Sequence, residues 1–265
     1  MRKDKHSLEL LYEEDDFVVM NKASGLLVHR GWGNDPVVAL DLVQDHVGRK
    51  AYPVHRLDRA TSGPLLVATR QEMARALGMM FDQRAMEKRY FAFVRGITPE
   101  AGTIDHPIPR QKGGPRVDAV THFTRVATFE RYSLVEAHPM TGRLHQVRRH
   151  LKHITHPLIG DTKYGKTEHT EIHRQRFNLR RMALHCWVLR LHHPLTQVPL
   201  TFVAPMPADL TEPFARMGIP AESWESRCAA VLAEYAQADA GPRPVEPSDP
   251  DHVAAPDAEV APDQL

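Results

Sequence analysis

Short apolar runs separated by turn signals dominate the first third of the chain. Two of them, at 8–12 and 17–20, are split by acids and predict a hairpin. Asn21-Lys22-Ala23-Ser24-Gly25 predicts a turn, and an extended pattern resumes at 26–28. Apolar residues at 37, 38, 42, 43 and 47 approach helical spacing, and Met73, Leu77, Met80 and Phe81 form the stripe of a second helix over 71–84. Between the two, 65–69 reads as a buried strand just beyond Ser62-Gly63-Pro64. Further strands are expected at 90–94, 120–129, 132–137, 185–191 and 199–203, with helices at 144–154 and 222–235. Strands in pairs with few helices between them predict a mixed α/β body, in which helices flank a largely antiparallel central sheet.

The last thirty residues change the picture. Positions 236–265 hold six prolines and no aromatic residue, and alternate Ala, Pro, Asp and Glu, so they read as a disordered acidic tail behind a folded domain at 1–235. Seven acids against Arg243 give this tail a charge of −6, so the overall +1 conceals +7 on the body. Such a body suits a polyanion partner without specifying one. Two cysteines exclude a disulfide-dense scaffold and a four-cysteine zinc site. No apolar run is long enough to span a membrane, and the N-terminus lacks the apolar core of a signal peptide, which predicts a cytoplasmic protein. Phosphate-loop, dinucleotide and HExxH patterns are absent.

Three segments carry chemistry. In His55-Arg56-Leu57-Asp58-Arg59-Ala60-Thr61-Ser62-Gly63 one carboxylate stands between two arginines, immediately before an apolar strand. Two readings stand: a surface turn whose charges neutralise each other, and a cleft aspartate held charged by its flanking cations, as a nucleophile or charge stabiliser requires. In Thr141 to Lys152, Thr141 is a candidate helix cap, and Val147, Leu151 and Ile154 give the helix one buried face. Arg148 lies at the margin of that face and, if inward, needs an anion such as Asp58; otherwise its cations form a wet, polyanion-attracting surface. The third segment, His173 to Arg181, mixes cations with Phe177, for which core packing is favoured over base stacking. Histidines 150, 153 and 156 recur every three residues, but no carboxylate or cysteine joins them to make a metal site. Tyr90 gains interest only if its strand passes Asp58.

Taken together, His-Arg-Leu-Asp with Ala-Thr-Ser-Gly, and Thr-Gly-Arg-Leu-His-Gln-Val-Arg with His-Pro-Leu-Ile-Gly-Asp, resemble the RluA-type pseudouridine synthase family. Asn21-Lys22-Ala23-Ser24-Gly25-Leu26 resembles its N-terminal signature, with Ala23 where Pro is frequent, and Glu87-Lys88-Arg89-Tyr90 resembles the segment of its active-site tyrosine. The segments keep the family order over about residues 8–207. Phe123 stands where the family often has Tyr, and Val147 where Ile or Leu is usual. Leu27-Val28-His29-Arg30, the doubled Arg148-Arg149-His150 and the basic insertion between Gly165 and His185 resemble the branch acting on uridine 65 of tRNA. The catalytic pattern starts near the N-terminus of this sequence, so a catalytic domain without the S4-like domain of several rRNA-acting relatives is expected.

The resemblance implies roles. Asp58 is the catalytic aspartate at the ribose C1′ side. Arg148 pairs with it. Tyr90 stacks on the uracil and assists proton removal. Arg56 enters the RNA stack that the flipped nucleotide leaves, while Arg59, Arg143, Arg149, Lys152, Arg174 and Arg176 contact RNA. No metal, nucleotide or redox cofactor is called for, and a monomer without obligate protein partner is expected. The alternatives are an rRNA or dual-specificity synthase, a silent RNA-binding module and a structural polyanion binder.

Overall fold

A computed structural model describes residues 7–30, 35–109 and 113–240, and the acids at 14–16 form the turn of a hairpin. β1 (Leu10–Glu13) pairs antiparallel with β2 (Phe17–Lys22), whose residues 17–20 are wholly buried. α1 (Ala39–Val47) starts where the Asp41 carboxylate accepts the Val38 N–H at 3.2 Å, using one of the donors a helix start leaves free. β3 (Tyr52–Pro53) and β4 (Gly63–Ala68) complete a four-stranded antiparallel sheet of order β1-β2-β4-β3. All six residues of β4 are buried, which explains its continuous rather than alternating apolar sequence. α2 (Gln71–Asp82) buries Met73 and Leu77 in the core shared with Phe17, Val19 and Leu66.

The second half builds a larger sheet. β5 (Glu87–Arg95), β6 (Ala101–Asp105), β9 (Val120–Phe129) and β10 (Tyr132–Pro139) are joined by β11 (Leu184–His192) and β12 (Pro199–Val203) in the order β12-β11-β5-β10-β9-β6. Every pairing between these strands is antiparallel. A short ribbon, β7 (Ile108–Pro109) with β8 (Arg116–Val117), projects between β6 and β9 in sequence. α3 (Gln146–His153) buries Val147 and Leu151 with Ala92, Val94 and Ala137 of the sheet. α4 (Thr167–Phe177), α5 (Ala208–Met217) and α6 (Glu222–Asp239) follow.

The two sheets meet at one seam. Ser62 bridges His185, the Cys186 N–H donates to the Ser62 carbonyl at 2.8 Å, and the Ser62 hydroxyl meets His185 Nδ1 at 2.8 Å. Gly63 has φ +124°, and a Cβ there would overlap the Cys186 carbonyl, so only glycine allows this approach.

The antiparallel α/β organisation agrees with the sequence reading; several local features differ. Thr141 does not cap α3: its hydroxyl donates to Gln146 Oε1, and the helix starts only after His145, which adopts a left-handed φ of +54°. α6 runs past 235 to Asp239, because Ala236-Gln237-Ala238 are good helix formers. The chain divides into two compact units, one ending at Cys228 and the other beginning at Ala229. Residues 241–265, most of the acidic tail, lie outside the described residues. Among the described residues no helix is long and apolar enough to cross a membrane.

Candidate active site

Two of the sequence segments close on each other. The buried Lys22 ammonium donates to the carbonyls of Ala23 (2.9 Å), Leu26 (2.8 Å) and Arg59 (3.2 Å). Ser24 Oγ donates to the Ala60 carbonyl at 2.9 Å, and the Gly25 N–H to the Arg59 carbonyl at 2.7 Å. The loop carrying Asp58 is therefore fastened just beyond the aspartate, at the Arg59 and Ala60 carbonyls, by the turn at 22–25, which helps fix a carboxylate that a free loop would let wander. Burial, then the charges of Arg181 and Arg59, pull the Lys22 ammonium down to about 7, with Asp58 acting the other way.

Arg148 reaches this loop from α3. Its Nη1 donates to Asp58 Oδ2 at 2.7 Å, while Nε and Nη2 make a two-pronged contact with Asp161 at 2.7 and 2.8 Å. Asp161 also accepts the backbone N–H groups of Lys163 and Tyr164 at 2.9 and 3.0 Å. Burial would raise the Asp161 carboxyl, but Arg148 and these N–H groups outweigh it and hold it below 3.8. Burial likewise opposes charge on Arg148, and the hydrogen bonds to Asp161 and Asp58 raise its guanidinium instead. Removing one partner of such an assembly costs roughly 3–5 kcal/mol, because the charge left behind stays buried. His145 Nε2 lies 3.6 Å from Asp58 Oδ1, and its Nδ1 meets the Tyr164 hydroxyl at 3.0 Å.

Asp58 opens onto a cavity of about 260 Å³. Tyr90 and Lys88 of β5, Thr141 and Gly142 of the turn before α3, and Arg56, Arg143, His145 and Arg148 also line it. Tyr90 faces Cys186 across the β5–β11 pairing. Burial pushes the Tyr90 phenol well above 10, with further contributions from Cys186 and from Asp58, so it rests protonated at neutral pH. The Cys186 thiol, itself buried, is pushed up to about 12 and rests as the neutral thiol at neutral pH.

The family model for RNA pseudouridylate synthase matches residues 16–153, which contain Asp58, Tyr90 and Arg148. The chain belongs to this family. The pseudouridine synthase is 38% identical over 219 residues to tRNA pseudouridine synthase C of Haemophilus ducreyi, covering 74% of this chain and 90% of that protein. It is 38% identical to the protein of the same name from Yersinia pestis, covering 74% and 86%. It is 41% identical to that of Pectobacterium carotovorum, where it covers 74% of this chain but spans only 58% of the relative. Human RNA Pseudouridylate Synthase Domain Containing 4 superposes with a TM-score of 0.66 at 27% identity, covering 79% of this chain and 92% of that one. Human RNA Pseudouridylate Synthase Domain Containing 1 gives 0.64 at 26% identity, with 76% and 84% covered.

The other cations of the synthase distribute unevenly. Arg59 does not flank Asp58 as its counter-charge: it pairs with Asp35 at 2.7 Å and donates to the Gly25 carbonyl at 3.0 Å. Neighbouring side chains on a loop diverge, and the cation that grips Asp58 arrives from 90 positions away. Arg149 and Lys152 line a second cavity of about 300 Å³ together with His106, Arg116, His153 and Tyr164. On α4, Arg174 is exposed with Glu171 at 3.8 Å, and Arg176 pairs with Glu130 at 2.9 Å. Phe177 is buried edge-on against Phe129 at 5.3 Å, as core packing predicts. Histidines 150, 153 and 156 go to three different partners: Thr121 with the His106 carbonyl, the His106 ring, and the Arg95 carbonyl. Asp161, His145, Tyr164 and Lys88 were not singled out from sequence, although Asp161, His145 and Lys88 stand inside three of the motif segments.

Proposed function

We propose that this pseudouridine synthase isomerises a uridine of tRNA, at position 65 in the TΨC stem. The observation that carries the reading is the cavity in which Asp58, gripped by Arg148, shares a wall with Tyr90; the similarity to three bacterial enzymes named for tRNA supports the substrate. A uridine in a stem exposes neither C1′ nor C5 to a side chain, so it must leave the stack at a cost of a few kcal/mol. Phosphate contacts from Arg143, Arg149, Lys152 and Arg174 offset that cost, with Arg59 and Arg176 joining by exchanging their carboxylates for phosphate. Arg56, exposed at the cavity mouth, fills the vacated position in the stack.

Asp58 then acts at C1′ as the C1′–N1 bond breaks, and Arg148 keeps it aimed. Tyr90 stacks on the uracil, its phenol protonated at rest, and assists removal of the C5 proton. The working unit is residues 1–235, acting as a cytoplasmic monomer, with the acidic extension as a solubilising appendage. Incubating wild-type and Asp58→Asn protein with unmodified tRNA and mapping pseudouridine tests the reading: the wild type modifies position 65 and the variant modifies nothing. Wild-type-like turnover by the variant would remove Asp58 from the mechanism. Mapping total RNA from cells lacking and regaining the chain settles the substrate, and a site in rRNA would move the assignment there.

A further inference from the structure

Lys88 is one alternation along β5 from Tyr90, so both side chains leave the same face of the strand, and both line the cavity that holds Asp58. Its ammonium rests 4.8 Å from the centre of the Phe81 ring. It also lies 3.8 Å from where a Cβ on Gly142 would sit, at the turn leading into α3. The Phe81 ring is itself stacked on His55 at 4.8 Å, and His55 Nε2 accepts the Leu66 N–H at 3.0 Å, so the platform beneath the ammonium is fixed.

What the site leaves out is an anion for Lys88. Arg148, in the same cavity, is held by two carboxylates; among the described residues none pairs with Lys88. Desolvation accordingly lowers its pKa from 10.5. Removing an ammonium from water without a counter-charge is unfavourable. Packing alone does not call for a cation at this point of the strand, since a methionine would cover Phe81 as well.

The reaction itself generates the missing charge. When the C1′–N1 bond breaks, its electron pair stays on the base, and the detached uracil is an anion with charge spread over N1, O2 and O4. This holds whether Asp58 bonds to C1′ or an elimination intervenes. The charge disappears when C5 forms its bond to C1′, the C5 proton leaves to a base and N1 takes up a proton; the sum is an isomerisation with no other reactant. Resting on the reading above, we propose that Lys88 is a catalytic residue whose ammonium holds a carbonyl oxygen of the detached uracil, stabilising its anion and retaining the free base while it turns to present C5. A donor aimed at charge that develops only during reaction speeds the chemical step more than it strengthens binding.

The test compares wild type with Lys88→Met, Lys88→Gln and Lys88→Arg in single-turnover reactions on saturating unmodified tRNA, with affinity and melting measured alongside. Loss of one such donor is expected to slow the methionine and glutamine variants by about 100-fold, with affinity for RNA close to wild type. Arginine, keeping the charge, is expected to recover a large part of the rate. Folded methionine or glutamine variants that react at the wild-type rate would overturn the inference, as would a loss confined to affinity. Wild-type protein that converts no uridine in any RNA would overturn the proposed function together with it, whereas wild-type turnover with indifferent Lys88 variants would overturn this step alone.

Discussion

At the residue scale, the site is a charge arrangement before it is a catalyst. Arg148 joins two carboxylates, and Asp161 is the anchor of the three: its side chain is fully buried, while Asp58 keeps 19% of its side-chain surface exposed toward the cavity. Arg148→Ala should therefore lose roughly 3–5 kcal/mol in denaturant unfolding as well as activity. Normal stability with only a weaker salt dependence of RNA binding would place Arg148 on the phosphate surface instead. The Asp161 carboxyl is held below its usual 3.8. Its contribution is then complete above that value and is lost as the pH falls through the lower, folded-state value. Wild-type stability should drop more steeply than that of Asp161→Asn below about pH 4, and parallel acid titrations would refute the assignment. Asp58 and Arg148 were legible because reactive residue types recur in recognisable local strings. Asp161 ends one of those strings too, but its role was not legible, because what defines it is the pairing with Arg148 that only the fold creates.

The element scale shows why some helices were missed. α3 follows an apolar stripe that periodicity finds, whereas α4 turns His169, His173 and Phe177 inward at four-residue spacing. Imidazoles count as polar in any pattern of apolar positions, so the buried face of α4 was invisible. Tyr132 Oη meets His169 Nδ1 at 2.8 Å and the His173 ring packs edge-on to Tyr132 at 4.3 Å, so these imidazoles serve as core. Burial also holds His185, at the seam between the sheets, down to about 4. Its Nδ1 meets the Ser62 hydroxyl and its Nε2 the Ala204 carbonyl at 3.1 Å. Because the folded value lies below the ordinary 6.5, the unfolded chain takes up the proton first, and stability falls as pH drops through 6.5 toward 4, by about 3 kcal/mol at the lower limit. Thermal melts from pH 7 to 4.5 should show this loss, and His185→Asn should show a shallower one. Equal slopes would remove His185 as a source of acid sensitivity.

At the scale of the whole molecule, electrostatics and topology answer different questions. The +7 carried by residues 1–235 predicts RNA binding that weakens steeply with salt. Arg174→Ala should lower the salt slope by about one with turnover at saturating RNA unchanged. Arg176→Ala should change less, since Glu130 already neutralises it. A loss of turnover at saturation in either variant would place α4 in the chemistry. Removing 241–265 should leave turnover unchanged, and tighter RNA binding at low salt would show that the acids compete for the basic face. Sequence by itself determined the antiparallel strand pairs, the charge division, the family and the string that holds the candidate aspartate, because periodicity, composition and short reactive strings are local properties. Only the tertiary structure decided that Arg59 is committed to Asp35, that Asp161 anchors the Asp58–Arg148 pair, and that Lys88 meets the cavity without an anion. Each of those depends on distance between residues far apart in the chain, and burial sets the energy of a charge only once the fold has chosen its neighbours.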